Sequence, residues 1–181
     1  MKGIVFTEFL DMVEAAHSAD MVDAIIADAK PANGGAYTAV GTYPAAEMGA
    51  LVGALAQHTA TPAPELLRSF GRHVFARFAI AYPAFFDGVD DVLAFLASIE
   101  DVIHIEVRKL YPDAELPSLD ATDLGPDGMR LVYRSPRCMA DFAEGLIEGA
   151  ATHFAQPLAI ARSHPRGAPV PELVFTVARA A

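Results

Sequence analysis

Three side chains that can donate hydrogen bonds recur at alternate positions of the stretch LVYRSPRCMADF, residues 131–142. They are the phenol of Tyr133, the hydroxyl of Ser135 and the guanidinium of Arg137. Alternate residues of an extended strand face the same side, about 6.6 Å apart, so the three are expected to point together. Such a group suits a pair of carboxylates. In the alternative interpretation, Ser135 caps the next helix, Arg137 is a surface arginine and Tyr133 is an ordinary strand aromatic.

A histidine among apolar neighbours is the second candidate for chemistry. His104 lies between Ile103 and Ile105, and such a residue is usually part of a core. One histidine cannot build a zinc site, but it can anchor a heme iron, because the porphyrin supplies four further ligands. A heme also carries two propionates, which are the dianionic guest that the polar trio would suit.

Apolar residues at helical spacing, separated by turn residues, predict the elements that must position these side chains. Five helices are expected before residue 110, at residues 6–16, 19–30, 45–58, 62–82 and about 89–109. Two antiparallel hairpins, with strands at 118–124 and 129–135 and at 157–164 and 172–180, are expected on either side of a helix at 137–155. The predicted fold is α+β: an N-terminal helical subdomain followed by a small antiparallel sheet with a packed helix, in one domain over residues 1–181.

Composition narrows the class of protein. The formal net charge of −10 argues against a nonspecific nucleic-acid surface or an anionic membrane surface. No signal peptide or membrane span is predicted, and the single cysteine, Cys138, excludes an intrachain disulfide. We therefore expect a soluble, cytoplasmic protein.

The chain resembles the heme nitric oxide/oxygen binding (H-NOX) family, which includes the sensor domain of soluble guanylate cyclase. The resemblance rests on MKGIVFTEFLDMVE at the start, DVIHIEVRKLYPDAELP in the middle, and then YRSPR and FAEGLIEGAATHF. A Tyr-x-Ser-x-Arg motif about 30 residues after the histidine is specific in this context. The resemblance implies the H-NOX fold and heme b, iron protoporphyrin IX, as cofactor.

The resemblance also implies roles for individual residues. His104 matches the proximal heme ligand, and Tyr133, Ser135 and Arg137 match the clamp that holds the propionates. Pro117 matches the proline that packs on the heme and helps to distort it.

Ile4, Phe78 and Leu146 match apolar positions of the heme pocket, for which ordinary core packing is the alternative. Ile4 is matched only with a one-residue gap near the N-terminus.

Oxygen-binding members carry a tyrosine whose hydroxyl donates to bound dioxygen, and the matching residue here is Phe142. Losing a hydrogen bond to a charged group costs about 1.5 to 3 kcal/mol, so nitric oxide selectivity is expected. Tyr43 and Tyr82 are the other residues that could supply a hydroxyl.

The function implied by the resemblance is gas sensing without catalysis. Nitric oxide, or carbon monoxide, would bind ferrous heme, and nitric oxide would release the iron from His104. The signal would pass to a separate protein, either a histidine kinase or an enzyme that makes or degrades cyclic di-GMP. The alternatives are an oxygen-binding or heme-carrier member, a heme-free interaction module, or a hydrolase based on Ser135, which lacks the Gly-x-Ser-x-Gly motif.

Some family members hold a structural zinc in a cysteine-rich cluster, which a chain with one cysteine cannot copy. A site made from Cys138, His153 and His164 is disfavoured. Cys138 is instead expected to be a buried or half-buried small residue.

Overall fold

The computed structural model describes residues 1–137, 139–165 and 172–180. Within these ranges the helices are α1 (Gly3–Ala16), α2 (Ala19–Ala29), α3 (Ala45–Thr59), α4 (Ala63–Ala81), α5 (Val92–Ser98), α6 (His104–Leu110) and α7 (Ala140–His153). The strands are β1 (Ser118–Asp123), β2 (Gly128–Arg134), β3 (Leu158–Ser163) and β4 (Glu172–Arg179). This arrangement confirms the predicted α+β fold. The expectations for Cys138, including the zinc alternative, and for most of the loop at 165–171 lie outside the described residues.

The first four helices surround one apolar core. Its fully buried side chains include Phe6, Phe9, Leu51 and Phe70. Local signals fix the helix ends: the hydroxyl of Ser18 accepts a hydrogen bond from the first turn of α2. These four helices lie close to their predicted positions.

The predicted fifth helix is divided into three consecutive parts. α5 begins after Asp91, whose carboxylate accepts a hydrogen bond of 2.9 Å from the backbone N–H of Ala94. A π-helical turn at Ile99–Ile103 then joins α5 to α6, which begins at His104. A π turn inserts an extra residue into the helical repeat, and such turns are frequent at functional sites. A periodicity argument cannot find it, because the hydrophobic spacing on either side remains helical.

The four strands form one antiparallel sheet in the order β1-β2-β4-β3. The sequence predicted two hairpins, and the structure joins them into a single sheet through the pairing of β2 with β4. A second apolar core lies between this sheet, α5 and α7, with Leu131, Phe175 and Val177 fully buried.

The strand that carries the polar trio ends earlier than predicted. β2 stops at Arg134, so Ser135 and Arg137 lie in the turn that follows it. α7 begins only at Ala140 and has no side-chain cap, so Ser135 does not cap it. Instead, the Ser135 hydroxyl accepts a hydrogen bond of 3.2 Å from the backbone N–H of Arg137.

Two glycines allow α4 and α7 to approach closely. A Cβ atom added to Gly71 would overlap the carbonyl oxygen of Phe142, and one added to Gly145 would overlap that of Arg68. α7 is therefore held against α4 along its backbone, which fixes where its side chains project. Across the described ranges, every helix is too short or too polar to pass through a lipid bilayer.

Candidate functional site

A cavity of about 280 Å³ is lined by residues from both apolar cores. It brings together every predicted site residue except Ile4. These residues are Phe78, His104, Pro117, Tyr133, Ser135, Arg137, Phe142 and Leu146. Side chains that are as far as 68 positions apart in the sequence thus face one space.

The N-terminal contribution to the cavity differs from the prediction. Met1 and Val5 line it, whereas Ile4 is not among the lining residues. α1 begins three residues earlier than predicted, and consecutive helical residues are rotated by about 100°, so adjacent side chains face different directions. Val5, the residue after Ile4, therefore faces the cavity where Ile4 was expected.

The imidazole of His104 is held by a carboxylate. Its Nδ1 atom lies 3.0 Å from Oε2 of Glu100, which is four residues earlier in the π-helical turn. An ionised carboxylate has no proton to donate, so Nδ1–H must be the donor. Nε2 then keeps the lone pair that a metal requires.

Burial keeps the His104 ring in the form that can bind a metal. Its side chain is 12% exposed. Burial lowers the pKa of His104 from its ordinary value, although the hydrogen bond from Nδ1 to Glu100 acts in the opposite direction. The ring is therefore neutral at pH 7, as coordination demands.

All three residues of the polar trio line the cavity. The Tyr133 and Ser135 side chains belong to residues that are 6% and 2% exposed. The guanidinium of Arg137 donates to the carboxylate of Glu115 at 2.9 Å and to the Glu115 backbone carbonyl at 2.5 Å. Because the Glu115 side chain is 84% exposed, solvent screens this ion pair and it contributes little stability, so another carboxylate could take the place of Glu115. The trio therefore fits the acidic end of a cofactor such as heme.

The rest of the cavity is apolar. Apart from His104 and the trio, the described lining residues are aliphatic, aromatic, methionine, alanine or proline, and none has a side-chain hydrogen-bond donor. The two other tyrosines named in the sequence analysis do not line it. The Tyr43 hydroxyl accepts from the backbone N–H of Thr38 at 2.9 Å, and the Tyr82 ring stacks on that of Phe85, with centroids 5.4 Å apart.

This chemistry matches an amphipathic, planar cofactor that brings its own metal ligands. His104 could supply one ligand to the metal, the apolar walls could enclose a macrocycle, and the trio could receive its carboxylates. Pro117 lies at the same cavity and immediately precedes β1, where it can contact such a ring.

Sequence reasoning missed Glu100, Met1 and Val5. Glu100 could have been found, because glutamate and histidine four residues apart share a helical face. Val5 could not have been separated from Ile4 without knowing where α1 begins. Leu119 was also missed, because its contribution is a backbone N–H, which donates to Glu100 at 3.1 Å.

Comparison with known proteins identifies the family of the chain. The model of the Haem-NO-binding family matches residues 2–162. An unliganded Fe(II) H-NOX protein from K. algicida is 36% identical, with a TM-score of 0.92, over 100% of this chain and 97% of that chain. An H-NOX from Shewanella woodyi, solved in solution with IWP-051 in the Fe(II)CO state, is 34% identical, with a TM-score of 0.84, over 99% and 95% of the two chains.

An H-NOX protein from S. oneidensis in the Fe(II)NO state is 29% identical, with a TM-score of 0.90, over 100% of both chains. A search of curated proteins found no match. The family match covers most of the sequence, and two of these H-NOX structures exceed 30% identity over nearly all of it. The chain therefore belongs to the Haem-NO-binding family of heme-based gas-sensor domains.

Proposed function

We propose that this protein is a nitric oxide sensor that holds ferrous heme b in the cavity, with His104 as the proximal ligand. The observation that carries the proposal is that one cavity joins a carboxylate-oriented imidazole to the Tyr133, Ser135 and Arg137 trio. When bound, the ferrous heme supplies an iron with one open position for a diatomic gas. His104 holds the iron, and the trio holds the propionates.

The apolar lining supports selectivity for nitric oxide over dioxygen. Bound dioxygen carries partial negative charge and gains from a hydrogen-bond donor, whereas nitric oxide binds ferrous iron strongly without one. Phe142 lies at the cavity in the position where the resemblance places the donor of oxygen-binding members. Carbon monoxide, which also needs no donor, is expected to bind.

The proposed output begins with the helical segment that carries His104. Release of the histidine would free α6 and the adjoining π-helical turn, which contacts β1. A ligand shifts such an equilibrium only if it binds the two states with different affinities, and release of His104 from the iron would supply that difference. The resemblance supports a cytoplasmic partner, either a histidine kinase or an enzyme of cyclic di-GMP metabolism, with residues 1–181 acting as one sensor domain.

Absorption spectra of the ferrous protein under nitric oxide, carbon monoxide and air test this function. We expect a Soret band, complexes with nitric oxide and carbon monoxide, a five-coordinate iron with nitric oxide, and no oxygen complex stable in air. An air-stable oxygen complex would favour the oxygen-binding alternative. A nitric oxide complex that keeps His104 on the iron would argue against signalling by release.

No observation favours a hydrolase. The Ser135 hydroxyl accepts from the Arg137 backbone, and the His104 Nδ1 is bonded to Glu100. In the described structure, serine and histidine therefore have separate partners, without the hydrogen bond that activates a nucleophile.

A further inference from the structure

We propose that Glu100 is a positioning residue that strengthens the bond between His104 and the heme iron and thereby sets how readily nitric oxide releases the histidine. The inference rests on the proposed function, since it requires heme on His104. Glu100 does not line the cavity and contacts His104 from outside it.

Three contacts hold the Glu100 carboxylate in place. Oε2 lies 3.0 Å from Nδ1 of His104 and accepts the backbone N–H of Leu119 at 3.1 Å. Oε1 lies 3.6 Å from a guanidinium nitrogen of Arg108. Leu119 belongs to β1 and is 9% exposed, so its N–H is a rigid donor. The carboxylate is thus tied to the sheet as well as to the imidazole.

A carboxylate acceptor changes the electron density of the ring. The Nδ1–H bond is polarised towards the oxygen, so the imidazole gains anionic character and becomes a stronger donor at Nε2. A hydrogen bond to a charged acceptor is shorter and stronger than one to a neutral acceptor. Glu100 should therefore raise the strength of the iron–histidine bond and oppose its rupture.

The same contact links ligand release to the fold. Glu100 lies in the π-helical turn, while His104 is the first residue of α6. If His104 leaves the iron, α6 can move only as far as the bond to Glu100, and through it β1, allows. Glu100 therefore influences how readily His104 leaves the iron. Through its bond to Leu119, it also makes β1 the element that resists movement of α6.

Resonance Raman spectra of the ferrous, gas-free protein measure the iron–histidine stretch directly. The variants are Glu100→Gln, which keeps size and an acceptor but removes the charge, and Glu100→Ala, which removes both. Glu106→Gln is the matched control, because Glu106 lies on α6 and pairs with Lys109 at the surface. We expect the highest frequency in wild type and the control, an intermediate one in Glu100→Gln and the lowest in Glu100→Ala.

Stopped-flow mixing with nitric oxide gives the second readout. Conversion from six- to five-coordinate iron should be about 10-fold faster in Glu100→Ala, the lower end of the effect of such outer partners on metal sites. A conversion rate in Glu100→Gln between those of wild type and Glu100→Ala distinguishes an electronic role of Glu100 from a structural one.

Equal frequencies and rates in all four heme-loaded proteins would overturn the inference and leave the proposed function intact. A change in heme content or unfolding without a change in frequency would also overturn it, since that result indicates a structural role only. Absence of the iron–histidine stretch from wild type would overturn both. If Glu100→Ala fails to fold, Glu100→Gln against wild type decides the question by the same frequency shift.

Discussion

Phe142, on α7, lines the cavity. Its ring contacts that of Phe70 with centroids 5.0 Å apart and an angle of 41° between the ring planes. A phenyl ring can pack and exclude water, but it cannot donate a hydrogen bond. At the scale of single residues, the missing hydroxyl is the feature that separates the proposed nitric oxide sensor from an oxygen-binding protein.

Phe142→Tyr should therefore create oxygen binding. One hydrogen bond to a charged acceptor contributes about 1.5 to 3 kcal/mol, which corresponds to about 10- to 100-fold in oxygen affinity. Oxygen titration of the ferrous protein measures the gain. Phe142→Leu is the control, because it changes the ring without adding a hydroxyl; equal oxygen affinity in both variants would contradict the assignment.

Arg137 is the charged member of the trio, and its side chain is only 15% exposed. Arg137→Ala should weaken heme binding by about 10- to 100-fold, because it removes a charge-assisted hydrogen bond to a propionate. Heme transfer to an excess of a scavenging protein measures the dissociation rate. Arg130→Ala is the control: Arg130 lies on the same strand, β2, and is exposed. Equal transfer rates in the two variants would exclude Arg137 from the clamp.

At the scale of elements, the contact between α4 and α7 depends on glycine. Gly145→Ala would press a methyl group into the Arg68 carbonyl, and overpacking of this kind costs about 1 to 3 kcal/mol. Gly49→Ala is a matched substitution in α3, where a Cβ atom meets no neighbour within 4 Å. It should stabilise the protein by about 0.5 to 1 kcal/mol. Urea unfolding measures whether the free energy of unfolding falls in Gly145→Ala and rises in Gly49→Ala. A stabilised Gly145→Ala would show that the helices are not in close contact.

Asp91 links the start of α5 to β4 through Arg179. The backbone N–H of Ala94, followed by Arg179, lowers the pKa of Asp91 from its ordinary value. A carboxyl group with a lowered pKa in the folded state contributes stability above its unfolded pKa of about 3.9, and that stability is lost as pH falls through the folded pKa.

Asp91→Ala should therefore lower the free energy of unfolding by about 1 kcal/mol at pH 7, because the helix cap is lost. The difference from wild type should shrink as the pH falls below about 4. Chemical unfolding at a series of pH values measures the difference from wild type. Asp90→Ala, at an exposed neighbouring position, is the control and should show a small effect at every pH. A cost for Asp91→Ala that does not vary with pH would contradict the role of its charge.

The elements also show how far the sequence could predict the structure. Hydrophobic spacing found α1 to α4, because each has an apolar face and clear end signals such as Ser18 and Pro62. The π-helical turn before His104 was not predicted, because it leaves the hydrophobic spacing intact. The polar trio was predicted to be close together for a partly wrong reason: Ser135 and Arg137 follow β2 in a turn and do not alternate along it.

The apolar lining of the cavity was less predictable from the sequence than its polar residues. The resemblance supplied the expectation for His104, Phe78 and Leu146, all of which line the cavity. Contacts that depend on backbone atoms, such as the Leu119 N–H with Glu100, have no signature in side-chain types.

At the scale of the whole molecule, the cavity is where the two apolar cores meet. Leu146 packs against both cores, and the lining includes Val74 from the helical core and Phe95 from the core beneath the sheet. A cofactor held there would contact both halves of the fold at once. In the proposed sensor, a change at such a cofactor would alter how the helices pack on the sheet.

If His104 binds a heme iron in this cavity, replacing the histidine must change the absorption spectrum of the ferrous protein. His104→Gly should lose or shift the Soret band of the ferrous protein, and added imidazole should restore the wild-type spectrum by filling the space of the missing ring. His58→Ala, which removes a surface histidine paired with Asp28, should leave the spectrum unchanged. A wild-type spectrum in His104→Gly without imidazole would show that His104 is not the ligand of the iron.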